Sequence, residues 1–162
     1  MLGYTEADYE NSIIELFHTM GYRYVYAPDL DRDLRCPLYE EELRDALRRL
    51  NPAMPDAAIG EAYAKLHDIE NGELVQKNAV FMDYLQHGIE VRYREKGEER
   101  SGIVYLADYE TPGNNSFVVA NQWTFIENSK KRPDMILFLN GLPIVLVELK
   151  SPSREETDAS EA

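Results

Sequence analysis

The sequence predicts a mixed α/β domain, with a central, largely antiparallel or mixed sheet flanked by helices and a helical insertion at about 38–88. Three observations carry that prediction. Apolar residues recur at helical spacing near the start and again through residues 38–88, the period switches to two after Gly88, and two apolar runs flank Asn140-Gly141 near the far end. A chain of 162 residues suits one domain of ordinary size with a full hydrophobic core.

The first helix is predicted over Thr5–Met20, with Thr5 as N-cap, Asp8 as its capping partner and Gly21 as the stop. Tyr9, Ile13, Leu16, Phe17 and Met20 form its apolar stripe, and Glu10 borders that stripe on the line through Ile13, Ile14 and Phe17. Tyr22–Ala27 reads as a short extended segment running into Pro28 and a loop over Asp29–Asp33. Three helices follow at Tyr39–Leu50, Pro55–His67 and Glu73–Gln86, separated by Asn51-Pro52 and Asn71-Gly72. Ile89, Val91 and Tyr93, a polar turn over Lys96–Glu99, then Ile103, Tyr105 and Ala107 predict a hairpin. Later strands are predicted at Phe117–Phe125, Met135–Leu139 and Ile144–Lys150, and residues 153–162 read as an acidic, frayed tail to a domain of residues 1–152.

Composition excludes several classes. A hydrophobic share of 44% argues against disorder, and no apolar run is long enough to cross a bilayer, so no membrane partner is expected. The first residues carry no secretory pattern, which points to the cytoplasm, and the single cysteine, Cys36, cannot form an internal disulfide. The net charge of −13 argues against broad electrostatic capture of nucleic acid. Residues 101–150, however, hold five acids against four bases, so a local surface facing a polyanion is compatible with the total.

The chemistry concentrates at the Asn140-Gly141 hairpin. Both turn residues tolerate positive φ, while Pro143 suggests that the loop extends through it. A loop of Asn140-Gly141 alone sets Asp134 opposite Val147, and a loop of Asn140 through Pro143 sets it opposite Leu149. Either register brings Asp134 beside Glu148 and Lys150. Strand alternation sends Glu148 and Lys150 to one face and Val147 and Leu149 to the other. Apolar residues on both faces predict that this strand is central, where an unpaired charge costs several kcal/mol unless it is paired or bound to a metal. Two converging carboxylates with a nearby ammonium suit Mg²⁺ or Mn²⁺ and the hydrolysis of phosphodiesters.

At these residues the sequence resembles a known superfamily. Pro133-Asp134, a spacer of 13 residues and Glu148-Leu149-Lys150 resemble the PD-(D/E)xK nuclease motif. Asn121-Gln122-Trp123-Thr124, Arg132-Pro133-Asp134, Phe138–Pro143 and Val147–Pro152 resemble the N-terminal nuclease domain of the type I restriction enzyme R subunit, the motor and endonuclease chain. The resemblance implies a restriction-endonuclease-like fold and a Mg²⁺-dependent (or Mn²⁺-dependent) endonuclease acting on double-stranded DNA. It implies Asp134, Glu148 and Lys150 as catalytic positions, Glu10 as the acid of the first helix, and Gln122 in the segment preceding the hairpin. Asp134, Glu148 and the Leu149 carbonyl would hold the metal, and Lys130, Lys131 and Arg132 would meet phosphate. Modification and specificity subunits would be partners of the full-length protein. No Gly-x-x-x-x-Gly-Lys-Ser/Thr occurs and no glutamine follows Gln122, so ATP use and the family's Gln-x-x-x-Tyr element are expected only in a longer subunit. The rival expectations are a non-enzymatic acidic docking or DNA-mimic domain, and a related nuclease of repair or recombination.

Overall fold

The computed structural model describes residues 5–69, 73–126 and 128–150; the predicted acidic tail and the Asn71-Gly72 separator lie outside these. Among the described residues no helix is long and apolar enough to cross a membrane. The chain divides into two compact units, the first drawn from residues 1–37, 118–137 and 144–162, the second from 38–117 and 138–143.

In the first unit, α1 (Glu6–Thr19) begins at the predicted capping box: Thr5 Oγ1 accepts from the Asp8 N–H at 3.3 Å, and Asp8 Oδ2 accepts from the Thr5 N–H at 2.8 Å. The Thr5 hydroxyl, which donates to Asp8 Oδ2 at 2.7 Å, and the Thr5 N–H together hold the Asp8 carboxyl below its ordinary pKa. The core face of α1 is rotated from the predicted stripe. Ile13, Ile14 and Phe17 pack with Val119, Met135 and Leu137, whereas Leu16 and Met20 are exposed. The line through Glu10, Ile13, Ile14 and Phe17 is therefore the one that meets the sheet, which turns Glu10 inward from its edge.

Strand β1 (Arg23–Tyr26) runs parallel to β4 (Phe117–Asn121), with Arg23 paired to Val118 and Tyr26 to Asn121. The sheet order is β1-β4-β7-β8, where β7 is Met135–Leu139 and β8 is Leu142–Val147. A parallel pair joined to a tight hairpin makes the sheet mixed. The predicted strand over Phe117–Phe125 is split. Beyond Asn121 the backbone turns at Gln122, and Phe125–Ile126 (β5) pairs with Lys130–Lys131 (β6) as a separate antiparallel ribbon.

The second unit holds α2 (Glu40–Leu50), α3 (Asp56–His67), α4 (Leu74–His87) and a hairpin of β2 (Ile89–Glu95) and β3 (Glu98–Val104). All three helices fall within one residue of their predicted bounds. Leu43, Leu47, Ala58, Ile59, Ala62 and Leu66 pack against Ile89, Val91, Val104 and Leu106, with Leu142 completing the cluster. The inward residues of β3 differ from the sequence expectation. The turn is Lys96-Gly97, both at positive φ, and Ile89 lies opposite Val104. Cross-strand partners share a face, so Val104 and Leu106 are buried, and Ile103 and Tyr105 are exposed.

Within the second unit, one residue fixes the β7–β8 turn. Asn140 is fully buried, and its Oδ1 accepts from the Ser116 N–H at 2.8 Å and from Arg49 Nη2 at 3.3 Å. Its Nδ2 donates to the Leu106 carbonyl at 2.9 Å and to Asn115 Oδ1 at 2.8 Å. Gly141 follows at φ 80°, and its carbonyl accepts from the Tyr39 N–H. A Cβ at Gly141 would lie 2.5 Å from the Leu43 nitrogen, so only glycine fits here.

Candidate functional site

The hairpin that carries the motif has the shorter of its two predicted loops. Asn140 and Gly141 stand at φ 52° and 80°, the signature of a two-residue I′ turn, and by count this sets Asp134 across from Val147. Pro143 lies inside β8 rather than in the loop. It is tolerated because β8 ends the sheet order, where a missing N–H need not break a ladder.

That position corrects a further expectation. Apolar residues on both faces of β8 predict a central strand, yet the buried strand is β7, in which Met135, Ile136, Leu137 and Phe138 are all buried. On β8, Ile144, Val145 and Leu146 are exposed, because among the described residues only β7 flanks it. Glu148 and Lys150 are accordingly exposed, and neither has a hydrogen-bond or ion-pair partner among the described residues. Their charges stay solvated, so the desolvation cost expected for a buried pair does not arise. The alternation itself is as predicted: Val147 and Leu149 join the cluster under α1, and Glu148 and Lys150 flank Leu149 in sequence with their side chains in solvent.

Asp134 sits half-buried in a bend immediately before β7. Its Oδ2 accepts from the Leu149 N–H at 2.6 Å. This bond fastens the first half of the motif to the middle residue of Glu148-Leu149-Lys150, and it leaves Asp134 Oδ1 with no hydrogen bond from the described residues. The Leu149 amide thus has a partner at Asp134, while its carbonyl keeps acceptor capacity.

Gln122 adopts φ 57°, a left-handed conformation uncommon outside glycine, asparagine and aspartate. Its N–H donates to the Asp134 carbonyl at 3.4 Å, so the strained residue lies against the backbone of the motif aspartate. Next in the chain, Trp123 is fully buried beneath Arg32, whose guanidinium carbon lies 3.9 Å from the ring centroid and whose Nη2 donates to the Thr124 carbonyl. Desolvation lowers the Arg32 pKa, and the neighbouring Cys36 thiol works the other way. Lys130, Lys131 and Arg132 are all exposed, the two lysines forming β6 of the short ribbon that leads to Asp134.

Glu10 is half-buried, and its Oε1 accepts from Asn121 Nδ2 at 2.6 Å. Asn121 Oδ1 in turn accepts from the Tyr24 hydroxyl at 3.0 Å. Burial raises the Tyr24 pKa, with the hydrogen bond to Asn121 acting in the opposite direction. Of the residues singled out in the sequence, Asp134, Gln122 and Leu149 meet in one hydrogen-bonded group. Glu10 joins the residue next to Gln122, and Glu148 and Lys150 flank Leu149. Sequence reasoning missed Tyr24, Arg32 and Asn121. Tyr24 and Arg32 lie in segments read as an extended stretch and a loop, where no local pattern marks a long-range partner.

A mixed sheet flanked by helices, with an aspartate entering one strand and Glu-x-Lys leaving the next, defines a restriction-endonuclease-like α/β domain. Within that class, the family model described as the type I restriction enzyme R protein N terminus matches residues 3–162, and the chain belongs to that family. It is 36% identical over 97% of its length to the type I restriction enzyme HindI endonuclease subunit of Haemophilus influenzae. It is 28% identical over 91% of its length to the MjaIXP endonuclease subunit of Methanocaldococcus jannaschii, a candidate type I restriction enzyme. The chain spans only 16% and 15% of the length of these two relatives.

Proposed function

We propose that this chain is the metal-dependent DNA endonuclease domain of a type I restriction R subunit, hydrolysing phosphodiesters of double-stranded DNA. The observation that carries the reading is the Asp134 Oδ2 to Leu149 N–H bond, which holds the aspartate against the Glu-x-Lys segment with one carboxylate oxygen to spare. Membership of the family and the names of the relatives support the same reading.

The donor set fits a hard divalent cation. Asp134 Oδ1, the Glu148 carboxylate and the Leu149 carbonyl offer oxygen and no sulfur or imidazole, which suits Mg²⁺ or Mn²⁺ rather than zinc. The ion, when bound, polarises the scissile phosphate and makes a water more acidic. Lys150 orients the attacking water with its ammonium and offsets negative charge that develops on the phosphate. Glu10 adds a further carboxylate beside the Gln122 turn, and Gln122 fixes the backbone of Asp134. Lys130, Lys131 and Arg132 make phosphate contacts that position the duplex without reading its sequence.

Sequence recognition belongs, on this reading, to specificity and modification subunits that the full-length protein joins in the cytoplasm. ATP-driven movement along DNA belongs to parts of that protein beyond this chain. The test is calorimetric titration of Mn²⁺ into the chain and into Asp134→Ala. Saturable binding that is lost in the variant is expected, and equal binding by both would remove Asp134 from the metal site.

A further inference from the structure

Asn121 is the last residue of β4 and is 8% exposed, and its amide is used at both ends. Nδ2 donates to Glu10 Oε1 on α1, and Oδ1 accepts from the Tyr24 hydroxyl on β1. These bonds fix which way the amide faces. With oxygen and nitrogen exchanged, Oδ1 would oppose a carboxylate oxygen, and the phenol would lose the acceptor it now has. Three elements that are distant in sequence thus meet in one directed series: Tyr24 to Asn121 to Glu10. The contact spans 111 residues between Glu10 and Asn121, and 97 between Tyr24 and Asn121.

The middle member of the series lies next to the motif in the chain. Asn121 adjoins Gln122, whose N–H holds the Asp134 carbonyl. Glu10 Oε2 takes no hydrogen bond from the described residues, so the carboxylate is held by one oxygen and offers the other, as Asp134 does. A buried amide that satisfies only backbone would show no such pattern, since both of its partners here are side chains. Tyr24 is 41% exposed and could be satisfied by water, so its bond to Asn121 is a constraint on the amide rather than a need of the phenol.

We infer that Asn121 and Tyr24 are positioning residues that orient the Glu10 carboxylate toward the start of β7, so that Glu10 acts with Asp134 on the same divalent ion. This rests on the metal-dependent reading above. Neither residue touches the reacting atoms; each acts through the next.

A double-mutant cycle on the chain reads the series, with Mn²⁺ affinity from calorimetry and the Asn121 side-chain amide signals from NMR. Asn121→Ala is expected to weaken Mn²⁺ binding about tenfold, the usual scale for losing a residue that orients a ligand, and Tyr24→Phe by a smaller factor. Both effects should vanish in a Glu10→Gln background, because a residue acting through Glu10 has nothing left to orient. Equal losses in both backgrounds, or no loss in either, would overturn the inference. Tyr24→Phe alters a partly exposed hydroxyl and guards against a result that reflects misfolding of Asn121→Ala. A separate arm uses no metal: Glu10→Gln should shift the Asn121 side-chain amide protons, and unmoved signals would overturn the series by themselves. If Asp134→Ala abolishes Mn²⁺ binding while the cycle is additive, the series alone fails. If Asp134→Ala leaves binding unchanged, the metal-dependent reading fails and the role of Glu10 goes with it.

Discussion

The two ends of the β7–β8 hairpin obey opposite rules. At the turn, Asn140 is fully buried and makes hydrogen bonds to Ser116, Arg49, Leu106 and Asn115, and Gly141 fits where no other residue can. At the open end, Asp134 uses one oxygen, and Glu148 and Lys150 stand in solvent with no partner among the described residues. A polar group that is buried and fully satisfied contributes to a unique fold and leaves no capacity for a ligand. Groups held in place with unused donors and acceptors have that capacity. The contrast separates the residues that make the hairpin from those that use it, although all of them lie within 17 residues of one another in the sequence.

The sharpest way to break this comparison is Lys150→Ala. Lys150 is exposed, so its loss should leave the thermal unfolding midpoint within error of the unmodified protein. Cleavage of plasmid DNA by the complete R subunit, with its partner subunits and ATP present, should fall by roughly 10² to 10³-fold, about 3–4 kcal/mol of transition-state stabilisation. Retained cleavage would show that the open end is as structural as the turn. Substitutions at the turn should act the other way round. Gly141→Ala forces a Cβ against the Leu43 nitrogen and the Tyr39 carbonyl at a positive φ, and should cost about 3 kcal/mol of stability in chemical denaturation. Asn140→Ala leaves the Ser116 N–H and the Leu106 carbonyl without their partner and should cost about 2 kcal/mol. In both variants, Mn²⁺ affinity measured on the folded fraction should be unchanged. A loss of affinity in the folded fraction would mean that the turn also sets the site.

How much of this was legible in the sequence follows the range of the forces involved. Helices α1 to α4 were legible because capping at Thr5 and Asp8, and apolar spacing within each segment, act over a few residues. The Asn140-Gly141 turn was legible for the same reason. The neighbours of β8 were not, because apolar residues on both faces record which faces favour burial and not which strands are there to bury them. The phase of β3 was missed because Ile103 and Tyr105 are apolar like Val104 and Leu106, so composition along the strand does not say which pair faces the core. The split after Asn121 was hidden likewise, because Gln122 is not a residue that announces a left-handed turn. At the site, the linear spacing of Asp134, Glu148 and Lys150 made the constellation visible. The bond between Asp134 and the Leu149 amide was not visible, and Tyr24, Arg32 and Asn121 carry no local signal for partners about 90 to 110 residues away.

The smallest expected effect tests whether half-buried polar groups of the second unit contribute to its fold through their partners. Tyr63 donates its hydroxyl to Glu40 Oε1, and the Arg44 guanidinium lies 3.7 Å from the centre of its ring. Burial first, then the hydrogen bond and charge of Glu40, push the Tyr63 pKa up from 10.0 to about 12, with Arg44 opposing. The neutral phenol is therefore the form that the folded state favours. Between about pH 10 and about pH 12 the unfolded chain has released this proton and the folded chain has not, so stability falls as pH rises through that window and is fully present below it. Alkaline pH acts on stability through more than one group, so the informative quantity is a difference. The denaturant midpoint of Tyr63→Phe should decline less steeply from pH 9.5 to pH 11.5 than that of the unmodified chain. Equal slopes would mean that Glu40 and Tyr63 do not hold one another in solution, and the satisfied polar groups of the second unit would then be buried amides such as Asn51 and Asn140.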